Sequence, residues 1–467
     1  MSGAPGHEPV ARSAATHTAM PARSFRHHEA RPGGRRSGHV AGVGAPGSLL
    51  LAGPPALAGA EPLESHLARL GPLPEHRSPQ GIVAAIEAAG LSGRGGGAFP
   101  SATKIRTARA TGTPPLVVVN ASESEPASGK DRLLCLLRPH LVLDGVATVA
   151  RAASATDAVV HVHRGSDATV ASLRAAAADR RRHGLADPRW HITVGPATYV
   201  SGEASAVASM LAGGPPVPFL HRRPLAAEGP GGGRPVLVFN VETVAHAATI
   251  ARIGPELWAG LGTAASPGTH LVTTVGAVAL PGAVFELSGA ATVGDVLAAA
   301  GVPGLPGAVL VGGYAGTWID GRTAPAVVLD GAGLRTVGAS LGSGVIGVLP
   351  PGACGLSETA RLLEFLAAGS AGQCGPCVHG LPILAAAATE LARGRASRRA
   401  QRQMLRLVED LPGRGACHLP DGAVHLLASA LRAFGDDAAR HRAGYACPAS
   451  PAGGWLPVPP RSPRSRP

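Results

Sequence analysis

Leu116-Val117-Val118-Val119-Asn120-Ala121-Ser122-Glu123-Ser124-Glu125-Pro126 is the stretch on which the fold class turns. Its first four residues are apolar and mostly β-branched, short enough for a buried strand. The strand then runs into polar and acidic residues and stops before a proline. Polar groups at the carboxyl end of a strand are where open α/β sheets hold their ligands. Two more stretches repeat the pattern. The strand-like residues 190–194 lead to Tyr199-Val200-Ser201-Gly202-Glu203, and Val236-Leu237-Val238 leads to Asn240-Val241-Glu242-Thr243. Three such strand ends predict an α/β domain with a polar site along one sheet edge.

Upstream, Gly93-Arg94-Gly95-Gly96-Gly97-Ala98-Phe99-Pro100 runs into Lys104. Lys104 and Lys130 are the only lysines among 42 basic residues, so an ammonium is kept where arginine is used elsewhere. Glycines that let backbone N–H groups approach a phosphate, followed by a lysine point charge, suit phosphate binding. The spacing fits neither a P-loop nor a dinucleotide fingerprint. A helix is expected over residues 81–89, before this loop.

At 467 residues with 45% hydrophobic side chains, the chain is long enough for two or three domains and a sizeable core. The net charge of +12 is concentrated at the ends: residues 1–47 and 441–467 carry +4 each. With a body so modestly charged and no reader motif, specific nucleic-acid binding is not expected. No apolar run is long enough to span a membrane. The apolar residues 48–60 contain Pro54-Pro55 and do not read as a signal peptide. Both basic ends read as disordered. Abundant Arg, Ala, Gly and Pro with almost no Lys points to GC-rich coding and a bacterial cytoplasm.

Of the six cysteines, Cys374 and Cys377 form a Cys-x2-Cys pair with Cys417 farther on, which reads as a metal or iron–sulfur site in a reducing compartment, zinc being the rival. They fall between apolar stripes of helical period: Leu362, Leu363, Leu366; Leu381, Ile383, Leu384, Leu391; Met404, Leu405, Val408, Leu411; and Val424, Leu426, Leu427, Leu431. Four amphipathic helices suggest a small bundle. Cys135, in an apolar run, reads as a core thiol, and Cys447 as a tail residue. Between the α/β domain and these helices, residues 271–275 and 283–287 flank a Pro281-Gly282 turn. Thr292-Val293-Gly294-Asp295 then starts a short helix in the manner of a capping box.

Taken in order, Gly93-Arg94-Gly95-Gly96, Lys104, Asn120-Ala121, Glu123, Glu125-Pro126, Lys130-Asp131-Arg132, Gly202-Glu203, Asn240-Val241-Glu242-Thr243 and Ser370-Ala371-Gly372-Gln373-Cys374-Gly375-Pro376-Cys377 resemble the family of NADH-binding flavoprotein subunits of respiratory complex I. The module also occurs in related NAD-reducing hydrogenases and formate dehydrogenases. The resemblance implies a Rossmann-like α/β FMN-binding domain, a β-grasp (SLBB-like) domain and a C-terminal four-helix iron–sulfur bundle. The corresponding spans are a leader over 1–47, the FMN/NADH domain over 48–262, the β-grasp domain over 263–345, the cluster domain over 346–440 and a tail over 441–467. The β-grasp domain shows no chemistry of its own and reads as a spacer.

By the same resemblance, Gly93, Arg94, Gly95 and Lys104 hold the FMN phosphate and ribityl chain. Asn120, Glu123, Gly202, Glu203, Asn240 and Thr243 line the flavin, while Phe99 and Glu125 meet NADH. Cys374, Cys377 and Cys417 ligate a [4Fe-4S] or [3Fe-4S] cluster, because Ala371 stands where the family has another cysteine. Ser370, His379, His418 and Cys354 are the candidates for a fourth ligand. The chain also departs from the family at Ser122, Ala204, Phe239 and His221-Arg222-Arg223-Pro224, which weakens the nicotinamide side. Two functions follow. One is an oxidoreductase subunit passing electrons from NADH through FMN to the cluster and on to a ferredoxin-like or complex I-like partner, cytoplasmic or peripheral to a membrane complex. The other is an electron-relay or assembly protein on the same fold.

Overall fold

Residues 116–120 do form a strand, and it lies inside a sheet rather than at its edge. In the computed structural model the described residues are 39–45, 47–74, 77–185, 187–447 and 454–459, all within one unit, Arg36–Pro467. Among them the strands in chain order are β1 (His39–Ala41), β2 (Leu116–Asn120), β3 (Asp157–His163), β4 (Arg189–Gly195), β5 (Val236–Asn240), β6 (His270–Gly276), β7 (Val284–Ser288), β8 (Ala308–Val311), β9 (Thr317–Asp320) and β10 (Val345–Leu349). They build a four-stranded sheet in the order β4-β3-β2-β5 and a six-stranded sheet in the order β1-β7-β6-β10-β8-β9.

The four-stranded sheet is wholly parallel. A strand with neighbours on both sides and cover on both faces needs apolar residues throughout, which is why β2 reads as an unbroken run. Val117, Val119, Leu237 and Phe239 point into one core, and Val118, Val236 and Val238 into another. The register sets Asn120 opposite Asn240, so two of the polar strand ends leave the sheet side by side. The helix before the glycine loop runs Pro79–Ala88, two residues earlier than expected at its start, because Ser78 caps it and Pro79 occupies the first turn.

On the larger face the helices Pro139–Ala153 and Val241–Ile253 cross at close range. A Cβ on Gly145 would stand 2.4 Å from the Val244 carbonyl oxygen. Gly145→Ala should therefore force the helices apart and destabilise the chain by about 1–3 kcal/mol. A urea midpoint equal to that of the unsubstituted chain would show the crossing to be tolerant.

The six-stranded sheet is mixed, with β6 and β10 parallel and its other pairs antiparallel. The expected hairpin is β6–β7, and the Thr292/Asp295 capping box closes in both directions at 2.8 and 3.1 Å. Beyond β10 come the helices Gly355–Ala368, Leu381–Ala392, Arg398–Asp410, Leu419–Ala433 and Gly435–Arg442. Their buried leucines other than Leu356 share one core with Tyr314 and Trp318, while Leu356 packs with Ala438; Ile383 and Leu405, assigned to apolar stripes from the sequence, face outward.

Among the described residues, part of each terminal span is ordered where disorder was expected. Within the span 1–47, His39–Ala41 is the edge strand β1, paired with β7; residues 1–38 lie outside the described residues. Within 441–467, the segment 454–459 returns to the body. The Trp455 N–H donates to Glu358 at 2.9 Å, Leu456 is buried, and Arg361 donates to the Leu456 carbonyl. An apolar Trp-Leu pair inside a polar tail supplies the burial that the tail's composition hides.

No single helix among the described residues is long and apolar enough to cross a membrane. The bent pair Lys130–Leu137 and Pro139–Ala153 meets that test by length and composition together. Most of its residues are buried within the protein.

Candidate functional site

The polar strand ends converge as the sequence suggested, through hydrogen bonds that join distant segments. The Asn120 side-chain amide donates to the Gly202 carbonyl at 2.7 Å, tying β2 to the Gly202-Glu203 turn. Asn240 caps the helix Val241–Ile253 by accepting from the Glu242 N–H, and it donates to Asp131. Thr243 Oγ1 accepts from the Arg94 N–H at 2.9 Å, which draws the glycine loop down onto the end of β5. There a Cβ on Gly95 would lie 3.3 Å from Asn240, and Gly96 takes φ +105°, a conformation suited to glycine.

These segments enclose a cavity of about 690 Å³, the size of a small-molecule or nucleotide site. Gly93, Gly95, Lys104, Asn120, Glu123, Gly202, Glu203, Asn240 and Thr243 line it, as do Phe99 and Glu125. Arg94 does not. Its guanidinium donates to the Pro267 carbonyl at 2.8 Å and lies over the Trp258 ring. Burial lowers its pKa to about 10, with Glu242 pulling the other way. Arg94 thus shapes the loop from behind while its glycine neighbours face the cavity.

Several of these residues also build the frame. Glu203 accepts from the Ser205 and Ala206 N–H groups as the cap of the helix Ala204–Leu211. Glu123 accepts from the Asp131 and Arg132 N–H groups at the start of the helix Lys130–Leu137.

One wall was not foreseen. The segment read as a spacer contributes Gly312, Ala315 and Gly316 after β8, and Ser340, Gly342 and Ser343 before β10. Gly312 has φ +105° and Gly342 φ +54°, and a Cβ on Gly342 would come within 2.3 Å of the Gly312 oxygen. The Gly312-Gly313 and Gly342-Ser343-Gly344 clusters were the available signal, diluted in a chain with 65 glycines.

The two lysines have different duties. Lys130 Nζ is buried between Asp131 and Glu242, 2.9 Å from each. Burial opposes its charge, but those carboxylates outweigh it and hold the ammonium well above its usual pKa. Lys130 therefore welds the helix Lys130–Leu137 to the start of the helix Val241–Ile253. Lys104 makes no ion pair among the described residues. Its Nζ donates to the Val238 carbonyl at 2.9 Å, over the Phe239 ring, and burial lowers its pKa.

A phosphate would fit beside Lys104. Ser101 opens the helix Ser101–Arg109, and its Oγ is buried and unpartnered at the cavity wall, next to a positive helix terminus. Ser122 Oγ and Glu125 Oε1 are likewise buried, unpartnered and on the lining. Three orphaned polar atoms around one cavity suit a polar ligand that satisfies them. The residues present therefore fit a nucleotide of the flavin type.

Glu125 is a carboxyl on the cavity wall whose Oε1 is buried. Burial pushes its carboxyl up to about 7, although the Tyr314 N–H and Tyr199 hydroxyl bond to Oε2 at 3.0 and 3.3 Å. Because the folded pKa lies above the ordinary value of 4.5, folding takes up a proton. That contribution to stability is full below about pH 4.5 and is lost as pH rises through about 7. Glu125→Gln should thus be more stable than the original chain at pH 8 by roughly 1–3 kcal/mol and nearly equal to it at pH 4. Urea midpoints at the two values test this, and a gain independent of pH would refute it.

Cys417 lines the same cavity, beside His418 and Leu419. Cys374 opens the turn that continues into Pro376–Gly380, with the Cys377 and Val378 N–H groups bonding to its carbonyl. Burial opposes the Cys374 thiolate, but N–H groups from Ala416 and Cys377 outweigh it and lower the pKa. Burial, reinforced by Cys374, pushes Cys377 up to about 12. The Ala416 contact brings the Cys374 and Cys417 loops together, and all three cysteines border one core.

Among the four candidates for a fourth ligand, Ser370 hydrogen-bonds to Cys377. His418 is fully exposed and pairs with Asp421. Cys354 lies in a different cluster, with His441 and Cys447, so Cys447 is not a free tail residue. Cys135 is fully buried, as expected of a core thiol.

Residues 86–249 match the family described as the Nuo51 FMN-binding domain, and residues 357–441 the NADH-ubiquinone oxidoreductase-F iron-sulfur binding region. The chain is 30% identical over 387 residues to the second F-type subunit of NADH-quinone oxidoreductase in Rhizobium meliloti, covering 79% of this chain and 91% of that one. It is 29% identical over 395 residues to the F-type subunit of NADH-quinone oxidoreductase in Mycobacterium bovis, covering 80% and 87%. Among solved structures it superposes on a chain of an NAD+-reducing [NiFe]-hydrogenase with a TM-score of 0.73 and 28% identity. That match covers 82% of this chain and 65% of the hydrogenase chain.

Proposed function

Because this chain belongs to the family of F-type subunits of NADH-quinone oxidoreductase, we propose that it takes electrons from NADH on FMN and delivers them through an iron–sulfur cluster to a partner protein. The observation that carries this reading is the single cavity bordered by Lys104 on one side and by the cluster cysteine Cys417 on another. Bound FMN supplies the exchange between a two-electron hydride and single electrons.

The residues of the chain do the rest. Ser101, the helix start behind it and Lys104 hold the phosphate, and Gly93 and Gly95 let the backbone approach the ligand. Asn120, Glu123, Gly202, Glu203, Asn240 and Thr243 form the polar frame of the site. Phe99 is half exposed at the wall and offers a ring face to the nicotinamide nucleotide. Glu125, with a pKa near neutrality and a free Oε1, holds a proton inside the site.

Within this reading the six-stranded sheet is the β-grasp (SLBB-like) domain, and its role is to close the flavin cavity. The helices that follow form the iron–sulfur bundle. Cys374, Cys377 and Cys417 hold the cluster by their thiolates, and Ser370, bonded to Cys377, stands beside the place left by Ala371. The partner is a ferredoxin-like or complex I-like protein.

The test is the visible spectrum of the chain purified without oxygen, recorded before and after NADH. A flavin absorption that bleaches on adding NADH supports the proposal. A flavin that stays oxidised favours the relay reading, for which Ala204 and Phe239 on the cavity wall are the supporting observation. A colourless protein free of iron would falsify both.

A further inference from the structure

A second group of donors lies apart from the cysteines just described. Cys354 caps the helix Gly355–Ala368, His441 lies in the last turn of Gly435–Arg442, and Cys447 follows six residues later. Although Cys354 is 87 residues from His441 in sequence, the Sγ, Nε2 and Sγ atoms lie within 4.8 Å of one another, the one such group of three found among the described residues. His441 Nε2 is 3.9 Å from Cys354 Sγ and 3.2 Å from Cys447 Sγ. Tetrahedral coordination at ordinary Zn–S and Zn–N lengths sets sulfur and nitrogen about 3.6 Å apart, between these two values.

The surroundings prepare the histidine as a ligand. Its Nδ1 is 3.2 Å from the Leu391 carbonyl oxygen, which can only accept, so Nδ1 carries the proton. That leaves Nε2 unprotonated with both sulfurs within 3.9 Å of it, and a carbonyl on Nδ1 is the usual partner that orients a metal-bound imidazole. The Cys447 N–H donates to Nε2 at 2.9 Å, as it can only if Nε2 bears no proton. A bound ion takes the place of that donor. Arg440, paired with Asp437 at 2.8 Å, also lies 3.6 Å from Cys447 Sγ. Cys354 and His441 are buried, whereas Cys447 is partly exposed and leaves room for a water as fourth ligand.

We propose that Cys354, His441 and Cys447 bind one zinc ion, which fastens the chain after Arg442 to the base of the helical domain. Two thiolates and an imidazole suit zinc and exclude magnesium or calcium, which take oxygen ligands. The site is independent of the flavin and cluster reading, since none of its three residues serves there.

The test is the metal content of the full chain expressed with both iron and zinc supplied. The expected result is about one zinc per chain, unchanged in the double variant Cys374→Ser/Cys377→Ser while iron is lost. In Cys354→Ser/Cys447→Ser zinc should fall at least about tenfold while flavin and iron stay. Should that variant fold poorly, cobalt(II) added to the metal-free Cys374→Ser/Cys377→Ser chain, which lacks the other thiolate pair, gives a second reading. A thiolate-to-cobalt charge-transfer band with tetrahedral d–d bands is expected, and it should be lost in His441→Ala. The proposal is overturned if zinc content is the same in Cys354→Ser/Cys447→Ser, if cobalt gives no thiolate band, or if the isolated chain is metal-free with a Cys354–Cys447 disulfide.

Discussion

Lys104→Ala is expected to release the flavin. Lys104 is the cavity-lining lysine without a carboxylate partner among the described residues, and it stands by the Ser101–Arg109 helix start where a phosphate fits. Losing one charge-assisted hydrogen bond in a partly buried site costs about 1.5–3 kcal/mol, so FMN should bind roughly 10- to 100-fold more weakly. Lys104→Arg should not restore it. The ammonium is threaded between the Val238 carbonyl and the Phe239 ring, and a planar guanidinium is too broad for that slot. Titration of FMN into the flavin-free chain, followed by quenching of flavin fluorescence, measures the effect. Binding at the original affinity by folded Lys104→Ala would place the phosphate elsewhere.

Replacing both Cys374 and Cys377 by serine should empty the cluster while sparing the flavin. A lone Cys417 thiolate cannot hold an iron–sulfur core. Iron content should fall to near zero, and transfer to one-electron acceptors by roughly a hundredfold or more, which is at least about 2.7 kcal/mol on the barrier. NADH should still bleach the flavin, because the expected flavin contacts lie outside the Cys374-Cys377 loop. Ala371→Cys makes the opposite change, supplying the missing thiolate, and should raise iron per chain where the cluster had been incomplete. Bound iron that survives the double substitution would move the cluster to other ligands.

Much of this was legible because it is local. The unbroken apolar run of β2 announced a strand covered on both faces, and Thr292-Val293-Gly294-Asp295 announced its own capping box. The strand ends at Asn120, Gly202 and Asn240 were legible for a similar reason. A strand that stops at a cluster of polar residues must satisfy them at its carboxyl edge, and parallel pairing brings those edges to one side.

Less legible was which way a side chain turns once segments have met. Arg94 and Lys104 belong to the same glycine-loop motif, yet Arg94 points to Pro267 and Trp258 behind the loop while Lys104 faces the cavity. Glu123 and Glu203 line the cavity and cap helices at once, and no spacing rule separates the two duties.

By itself the sequence pointed to β2, β4, β5 and the β6–β7 hairpin, to the polar strand ends, to Cys374, Cys377 and Cys417 as candidate ligands, and to the family, all carried by short runs of residues. Only the tertiary structure decided that the loops after β8 and before β10 close the cavity at the strand ends, that Lys130 is a buried weld, and that Cys354, His441 and Cys447 meet. Each depends on long-range packing that no local pattern encodes, such as the approach of Gly342 to the Gly312 carbonyl or the return of Cys447 to the start of the helix Gly355–Ala368.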